Sequence, residues 1–133
     1  MERKLFVNLP VSKLDRAVSF FTALGFEFNP DFTYENATCM LVGKDAFVML
    51  LVRDFFATFT DRPVADPATS TAAIIAISAE SRDGVDQLVD TALAQGASAG
   101  ATQDHGFMYS RAFYDLDGHH WEVLWMDESQ ISA

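Results

Sequence analysis

The segment from Asp115 to Trp125 combines the residue types in this chain that are most able to do chemistry. A predicted strand reaches the pair Asp117–Gly118, which is typical of a tight hairpin turn, and a second strand follows. In that second strand Glu122 stands among large apolar residues, and His120 lies two positions before it. Side chains two apart in a strand project from the same face, so an imidazole and a carboxylate would lie together. Such a pair could ligate a metal, or act as a base and the group that orients it.

Glu122 needs a partner if it is buried, because a lone carboxylate among apolar side chains costs free energy. Arg111 and Arg53 are the candidate cations, and Arg111 could instead hold an anionic substrate. His105 lies in a polar loop and is a candidate general acid or base, with a hydrogen bond that stabilises the turn as the alternative. The candidate catalytic groups are therefore Glu122, His120 and His105.

The composition argues against several classes of function. With 9 basic and 19 acidic residues the formal net charge is −10, so nucleic acid and anionic membrane are not expected partners. The single cysteine, Cys39, cannot form an internal disulfide or a cysteine-rich metal motif. No apolar run reaches the roughly 18 residues of a membrane span, and no signal-peptide pattern is seen. We therefore expect a cytoplasmic protein.

The first half of the chain is predicted to have the order β-α-β-β-β. Apolar residues alternate over Leu5–Val11, which predicts a strand that ends at Pro10 or lies on a sheet edge there. Ser12 is the predicted N-cap of a helix that Gly25 closes. The further predicted strands are Glu27–Phe28, Thr38–Val42 and Ala46–Val52, with a turn at Gly43–Asp45.

The second half is predicted to repeat this order. Ser81 or Asp83 begins a helix that Gly96 ends. Between the halves, the aromatic segment Arg53–Ala68 is predicted to contain a short packed helix. The predicted strands are Ala72–Ser78, Ala97–Ala101, Met108–Asp115 and His119–Met126.

Two pairs of landmarks indicate that the halves arose by duplication. Gly25 and Gly96 are 71 residues apart. Met49 and Glu122 are 73 residues apart, and similar offsets at separate landmarks are typical of an internal repeat. We expect a single domain over residues 1–133 that consists of two modules, about 1–60 and about 70–133.

Three stretches carry a resemblance to a known superfamily, namely residues 6–14 (FVNLPVSKL), 20–26 (FFTALGF) and 115–123 (DLDGHHWEV). They resemble the vicinal oxygen chelate superfamily, which includes glyoxalase I, bleomycin-resistance proteins and extradiol dioxygenases. Residues 103–109 (QDHGFMY) are similar to a glyoxalase-like subgroup without a proven substrate. The resemblance implies an α+β fold of two βαβββ modules whose sheets enclose a cavity, and it implies a homodimer.

Metal-binding members of this superfamily use a His that opens the first strand and a Glu in the last strand of each module. On this chain the resemblance places the first His on Phe6 and the first Glu on Met49. It places the second His on Ala72 or Ala73, and the second Glu on Glu122. Only Glu122 offers a donor suited to a divalent metal, so we expect no metal and no other cofactor.

Two functions follow from this pattern. The first is a binding protein that encloses a small, largely apolar or aromatic molecule without a metal. The second is a lyase or isomerase that acts through His105, His120 and Glu122, either metal-free or with a rearranged metal site, so enzymatic activity stays open. The residues expected to line the ligand site, with core filling as the alternative, are Phe6, Asn8, Phe47, Met49, Phe107, Tyr109, Arg111 and Phe113.

Overall fold

A computed structural model describes residues 1–130, and the chain divides into two units, Met1–Asp66 and Pro67–Ala133. In the first unit β1 runs parallel to β4 in a four-stranded sheet of order β1-β4-β3-β2, and the other pairs are antiparallel. Its elements are β1 (Leu5–Val11), α1 (Leu14–Ala23), β2 (Glu27–Phe28), a 3₁₀ turn (Pro30–Phe32), β3 (Ala37–Gly43), β4 (Ala46–Val52) and α2 (Arg53–Ala57).

Local chemistry explains how β1 and α1 are bounded. Pro10 lacks an N–H but lies in β1, an edge strand, where no neighbour needs that donor. The prediction that Ser12 caps α1 is wrong, because Lys13 occupies the N-cap and the Ser12 hydroxyl accepts a hydrogen bond of 2.9 Å from Arg16. Gly25, with a φ of +101°, closes the helix as expected.

The second unit repeats the architecture with the order β5-β8-β7-β6, in which β5 runs parallel to β8. The α+β prediction of two βαβββ modules is therefore confirmed. Ser81, not Asp83, is the N-cap of α3, because its hydroxyl accepts the backbone N–H of Gly84 at 2.9 Å. The elements are β5 (Ile74–Ser78), α3 (Arg82–Ala94), β6 (Ser98–Asp104), β7 (Met108–Tyr114), β8 (His120–Met126) and a 3₁₀ turn (Glu128–Gln130).

Within each unit one face of the sheet packs against the long helix, and we call the opposite one the helix-free face. In the second unit Trp121 and Val123 are fully buried on the helix side. The helix-free face of the first sheet is defined by Phe6, Asn8, Pro10, Ala37, Cys39, Leu41, Phe47, Met49 and Leu51. The helix-free face of the second sheet is defined by Ile74, Ala76, Ser78, Met108, Ser110, Ala112, Tyr114, His120, Glu122, Leu124 and Met126.

The segment that follows β4 forms the short helix expected from its aromatic residues. Phe55 and Phe59 pack edge to face with ring centroids 5.1 Å apart. Arg53 donates hydrogen bonds to the backbone carbonyls of Val64 and Ala65 at 2.8 and 3.2 Å, so it fastens this segment. Within residues 1–130, no helix is long and apolar enough to cross a membrane.

Candidate functional site

Glu122 lies half-buried on the helix-free face of the second sheet. Its direct neighbours across the strands are Ala76 on β5 and Ala112 on β7. Ala76 is exposed whereas Ala112 is buried, and neither methyl group can form a hydrogen bond with the carboxylate. Among residues 1–130, Glu122 makes no side-chain hydrogen bond or ion pair, so its carboxylate is available to a ligand.

His120 shares this face with Glu122, as the alternation predicts. Its ring lies 4.7 Å from the ring of Tyr114, tilted by 40°, because the two residues face each other across β7 and β8. Tyr114 also borders a cavity of about 600 Å³ within the second unit. Apart from Tyr114, that cavity is lined by Pro67, Ala68, Thr69, Ser70, Thr71, Ser98, Asp115, Leu116, Asp117 and Gly118.

A buried carboxyl group holds the hairpin that presents His120 and Glu122. Asp115 accepts hydrogen bonds from the Trp121 indole at 2.9 Å and from the backbone N–H groups of Asp117 and His119, both at 3.0 Å. Burial raises the pKa of Asp115, against the lowering effect of these donors. The Asp117–Gly118 turn is therefore a structural device that fixes the register between β7 and β8.

Three of the residues predicted to line the ligand site instead face α3. The hydroxyl of Tyr109 donates a hydrogen bond of 2.6 Å to Asp86 on that helix. Arg111 donates to Asp86 and to Asp90, each at 2.9 Å. Of the two candidate cations for Glu122, Arg111 is therefore engaged by α3 instead, while contact of Tyr109 and Arg111 with a ligand stays a prediction.

Phe113 is the third of these residues, and it is only 1% exposed. Its ring stacks on Trp121 with centroids 6.3 Å apart and planes 5° apart, in the core beneath α3. The physical reason that all three residues face α3 is the strand register, because Ala112 lies opposite Glu122 and its neighbours in sequence must point to the other face. For Phe113 this is the core-filling alternative.

Charge on the helix side of the second unit is compensated internally. Hydrogen bonds from Tyr109 and Arg111 lower the pKa of Asp86. Arg82 binds both carboxylate oxygens of Asp104, at 2.8 and 2.9 Å, and holds the pKa of that carboxyl well below its ordinary value. Arg82 and Arg111 are the only lysine or arginine residues between positions 67 and 130, and both are engaged away from Glu122.

His105 lies in the exposed turn between β6 and β7, where its backbone N–H donates a hydrogen bond of 2.8 Å to the backbone carbonyl of Met108. Met108 pairs with Met126 at the far end of β8, four residues beyond Glu122. Phe107, which is 45% exposed, belongs to the same turn. The structure therefore brings His120 and Glu122 together and leaves His105 apart from them.

In the first unit the predicted aromatic and polar residues do share one face. Phe6 and Phe47 stack with ring centroids 4.8 Å apart and planes 14° apart, and Phe6 is 48% exposed. Asn8 lies beside them, opposite Met49. Cys39, on the other side of Met49, is buried as expected, and burial raises the pKa of its thiol. Contact of Phe6, Asn8, Phe47 and Met49 with a ligand stays a prediction.

Comparison with known proteins tests the resemblance. A family model described as bleomycin resistance protein-like N-terminal matches residues 3–43. The hypothetical protein SA1046 from S. aureus is 25% identical with a TM-score of 0.78, covering 93% of this chain and 94% of that chain. A glyoxalase-related enzyme from Fulvimarina pelagi is 15% identical with a TM-score of 0.77, covering 94% and 88%. The fosfomycin resistance protein FosX from Listeria monocytogenes is 19% identical with a TM-score of 0.67, covering 94% and 93%.

The chain has the vicinal oxygen chelate fold. The resemblance carried by the sequence is thereby confirmed. No curated protein matches the sequence.

The strand register relates to one another the positions on which the resemblance places metal ligands. Phe6 pairs with Phe47, two residues before Met49. Ile74 pairs with His120, two residues before Glu122, so the second-module counterpart of Phe6 is Ile74 and not Ala72 or Ala73.

Only one of these four positions carries a donor suited to a divalent metal. Phe6 and Ile74 have no donor atom, and the thioether of Met49 is a soft ligand that suits copper(I) better than zinc or nickel. Throughout residues 1–130, no group of three or more His, Cys, Asp or Glu residues is placed to hold a metal. The residues present therefore do not fit the metal of the superfamily.

Proposed function

We propose that the protein binds a small, largely apolar or aromatic molecule on the helix-free faces of its sheets, without a divalent metal. The observation that carries this proposal is the stacked pair Phe6–Phe47. Phe6 stands at the position of a metal-binding histidine, and about half of its surface is exposed. A residue that cannot ligate has thus replaced one that can, and it offers a flat apolar surface in its place.

Physical chemistry supports an aromatic ligand at this pair. A ring laid on Phe6 would extend an existing stack, and favourable aromatic pairs contribute about 0.5–1.5 kcal/mol beyond the area they bury. Each 100 Å² of apolar surface removed from water adds roughly 2.5 kcal/mol before the cost of ordering the ligand. Asn8 is exposed beside the pair and supplies one amide donor and one acceptor group to orient a polar substituent.

The similarity to bleomycin-resistance proteins points in the same direction. The matching family model covers residues 3–43, which include both Phe6 and Asn8. That family is described by resistance, which a protein can confer by holding a compound without transforming it. Binding without turnover is therefore the function that these residues favour.

Replacing Phe6 by Ala tests the proposal. We expect the variant to bind naphthylmethanol, a neutral aromatic probe, roughly tenfold more weakly in isothermal titration calorimetry, since about 1–2 kcal/mol of stacking and burial is lost. Phe32→Ala is the matched control, because Phe32 is 51% exposed but lies in the 3₁₀ turn outside the sheet. Equal weakening in both variants, or no binding by the wild-type protein, would show that Phe6 is not a binding surface.

A second candidate function is a lyase or isomerase. The observation that favours it is the placement of His120 and Glu122 on one strand face, with the ring of Tyr114 beside the imidazole. In such an enzyme the imidazole would transfer a proton and the carboxylate would stabilise or orient it. His105 has no part in this version, because it lies at the other end of the strands.

A further inference from the structure

We infer that Glu122 binds a cationic group, so that the molecule held at the second sheet is an amine or amidine attached to an apolar or aromatic body. This inference rests on the proposed function and deepens it by naming the chemical class of the ligand. The juxtaposition that carries it is the Glu122 carboxylate, which has no side-chain partner within residues 1–130 and is flanked by two alanines on a sheet face whose residues on β5, β7 and β8 include no arginine or lysine.

The first step concerns the space around the carboxylate. Ala76 and Ala112 are the direct neighbours of Glu122, and neither can donate a hydrogen bond from its side chain. Ala76 is exposed on the edge strand β5, so the carboxylate can be approached from that side. A ligand group of the size of an ammonium can therefore reach Glu122 without displacing a protein partner.

The second step concerns charge. Arg82 and Arg111, the basic residues of the second unit, are held by Asp104 and by Asp86 and Asp90 on the helix side. A ligand that covered Glu122 with a neutral apolar group would strip water from an uncompensated carboxylate, which is costly. An anionic ligand would add repulsion, and the net charge of −10 favours the approach of cations over anions.

The third step concerns the body of the ligand. The rings of Tyr114 and His120 lie together on the same face as Glu122, and the side chain of Ile74 is 54% exposed beside them. An aromatic ring can pack on these groups while its charged substituent reaches the carboxylate. The tyrosine ring is itself attractive to a cation held near its face.

Three probes with one ring system test the inference, namely naphthylmethylamine, naphthylmethanol and naphthoate, which are cationic, neutral and anionic at neutral pH. We expect the wild-type protein to bind the amine roughly fivefold to tenfold more tightly than the alcohol, and the acid most weakly. Glu122→Gln should remove the preference for the amine and leave binding of the alcohol within about twofold. Glu80→Gln, which removes an exposed charge from the loop before α3, should keep the preference.

Ala76→Leu provides a second test that does not alter the charge. The larger side chain would fill the space beside the carboxylate on an exposed edge strand, and it should reduce the preference for the amine as Glu122→Gln does. Equal binding of all three probes by the wild-type protein would overturn the inference and leave the proposed function standing. No binding of any probe would overturn both, and a preference that survives in Glu122→Gln and Ala76→Leu would place the cation elsewhere.

Discussion

Gly118 illustrates how a single residue limits the fold of the second unit. Its φ of +97° lies in the left-handed region, and a Cβ at this position would come within 2.7 Å of the carbonyl oxygen of Pro67. We expect Gly118→Ala to lower the free energy of unfolding by about 2–4 kcal/mol, measured by urea denaturation. Gly25→Ala is the matched control, because it has a φ of +101° with nothing within 4 Å, and it should cost only about 1–2 kcal/mol. Equal losses of unfolding free energy in the two variants would show that the structure accommodates the new Cβ beside Pro67 without additional cost.

The partners of long polar side chains are the least predictable feature at this scale. Glu122 was correctly placed on one face with His120, because alternation along a single strand suffices for that. Arg111, one of the two candidate cations for Glu122, binds Asp86 and Asp90 instead, because a long side chain finds its partner in three dimensions. The signal that could have indicated this pairing is the spacing of Asp86 and Asp90, which are four apart and so share the face of α3 that receives Arg111.

The positions of strands and helices along the chain were easier to predict than which face of the sheet each side chain of β7 occupies. Strands and helices follow from apolar periodicity, but β7 carries rings or apolar groups on both faces, so alternation alone could not orient Tyr109 and Phe113. The hairpin loop did not settle this from the sequence either. A two-residue turn at Asp117–Gly118 would set Phe113 opposite Glu122, whereas the observed pairing is centred on Asp117 and sets Ala112 there. The neighbouring side chains Arg111 and Phe113 are thereby directed towards the helix.

The ion pair between Arg82 at the start of α3 and Asp104 at the end of β6, which we call the clamp, predicts how the stability of the protein depends on pH. The Arg82 guanidinium lowers the pKa of Asp104, so the stabilisation is complete above the unfolded value of about 3.9 and is lost as the pH falls towards the lower folded value. At pH 7 we expect the wild-type protein to unfold at a higher urea concentration than Asp104→Asn. The gap between the two unfolding midpoints should narrow as the pH is lowered towards pH 2. Asp61→Asn, in an exposed loop, is the control. A gap that stays constant with pH would contradict this account of the clamp.

At the scale of the whole molecule, the duplication was visible in the sequence, but its detailed alignment was not. Both sheets place a parallel edge strand beside their last strand, which accounts for the similar offsets of separate landmarks. The position equivalent to Phe6 was misplaced on Ala72 or Ala73, because β5 begins only at Ile74 and its residues alternate weakly in hydrophobicity. The homodimer and the cytoplasmic location stay predictions.

The four positions on which the resemblance places metal ligands predict the metal content of the whole protein. Phe6 and Ile74 have no donor atom and Met49 offers only a soft thioether, so we expect purified protein to retain less than about 0.1 equivalent of zinc, nickel, manganese or iron by elemental analysis. The hemithioacetal of methylglyoxal and glutathione should not be turned over when nickel or zinc is added. About one equivalent of metal per chain, lost in Glu122→Gln, would contradict metal-free binding. Turnover that needs both His120 and Glu122 but no metal would instead favour the enzyme over the binding protein.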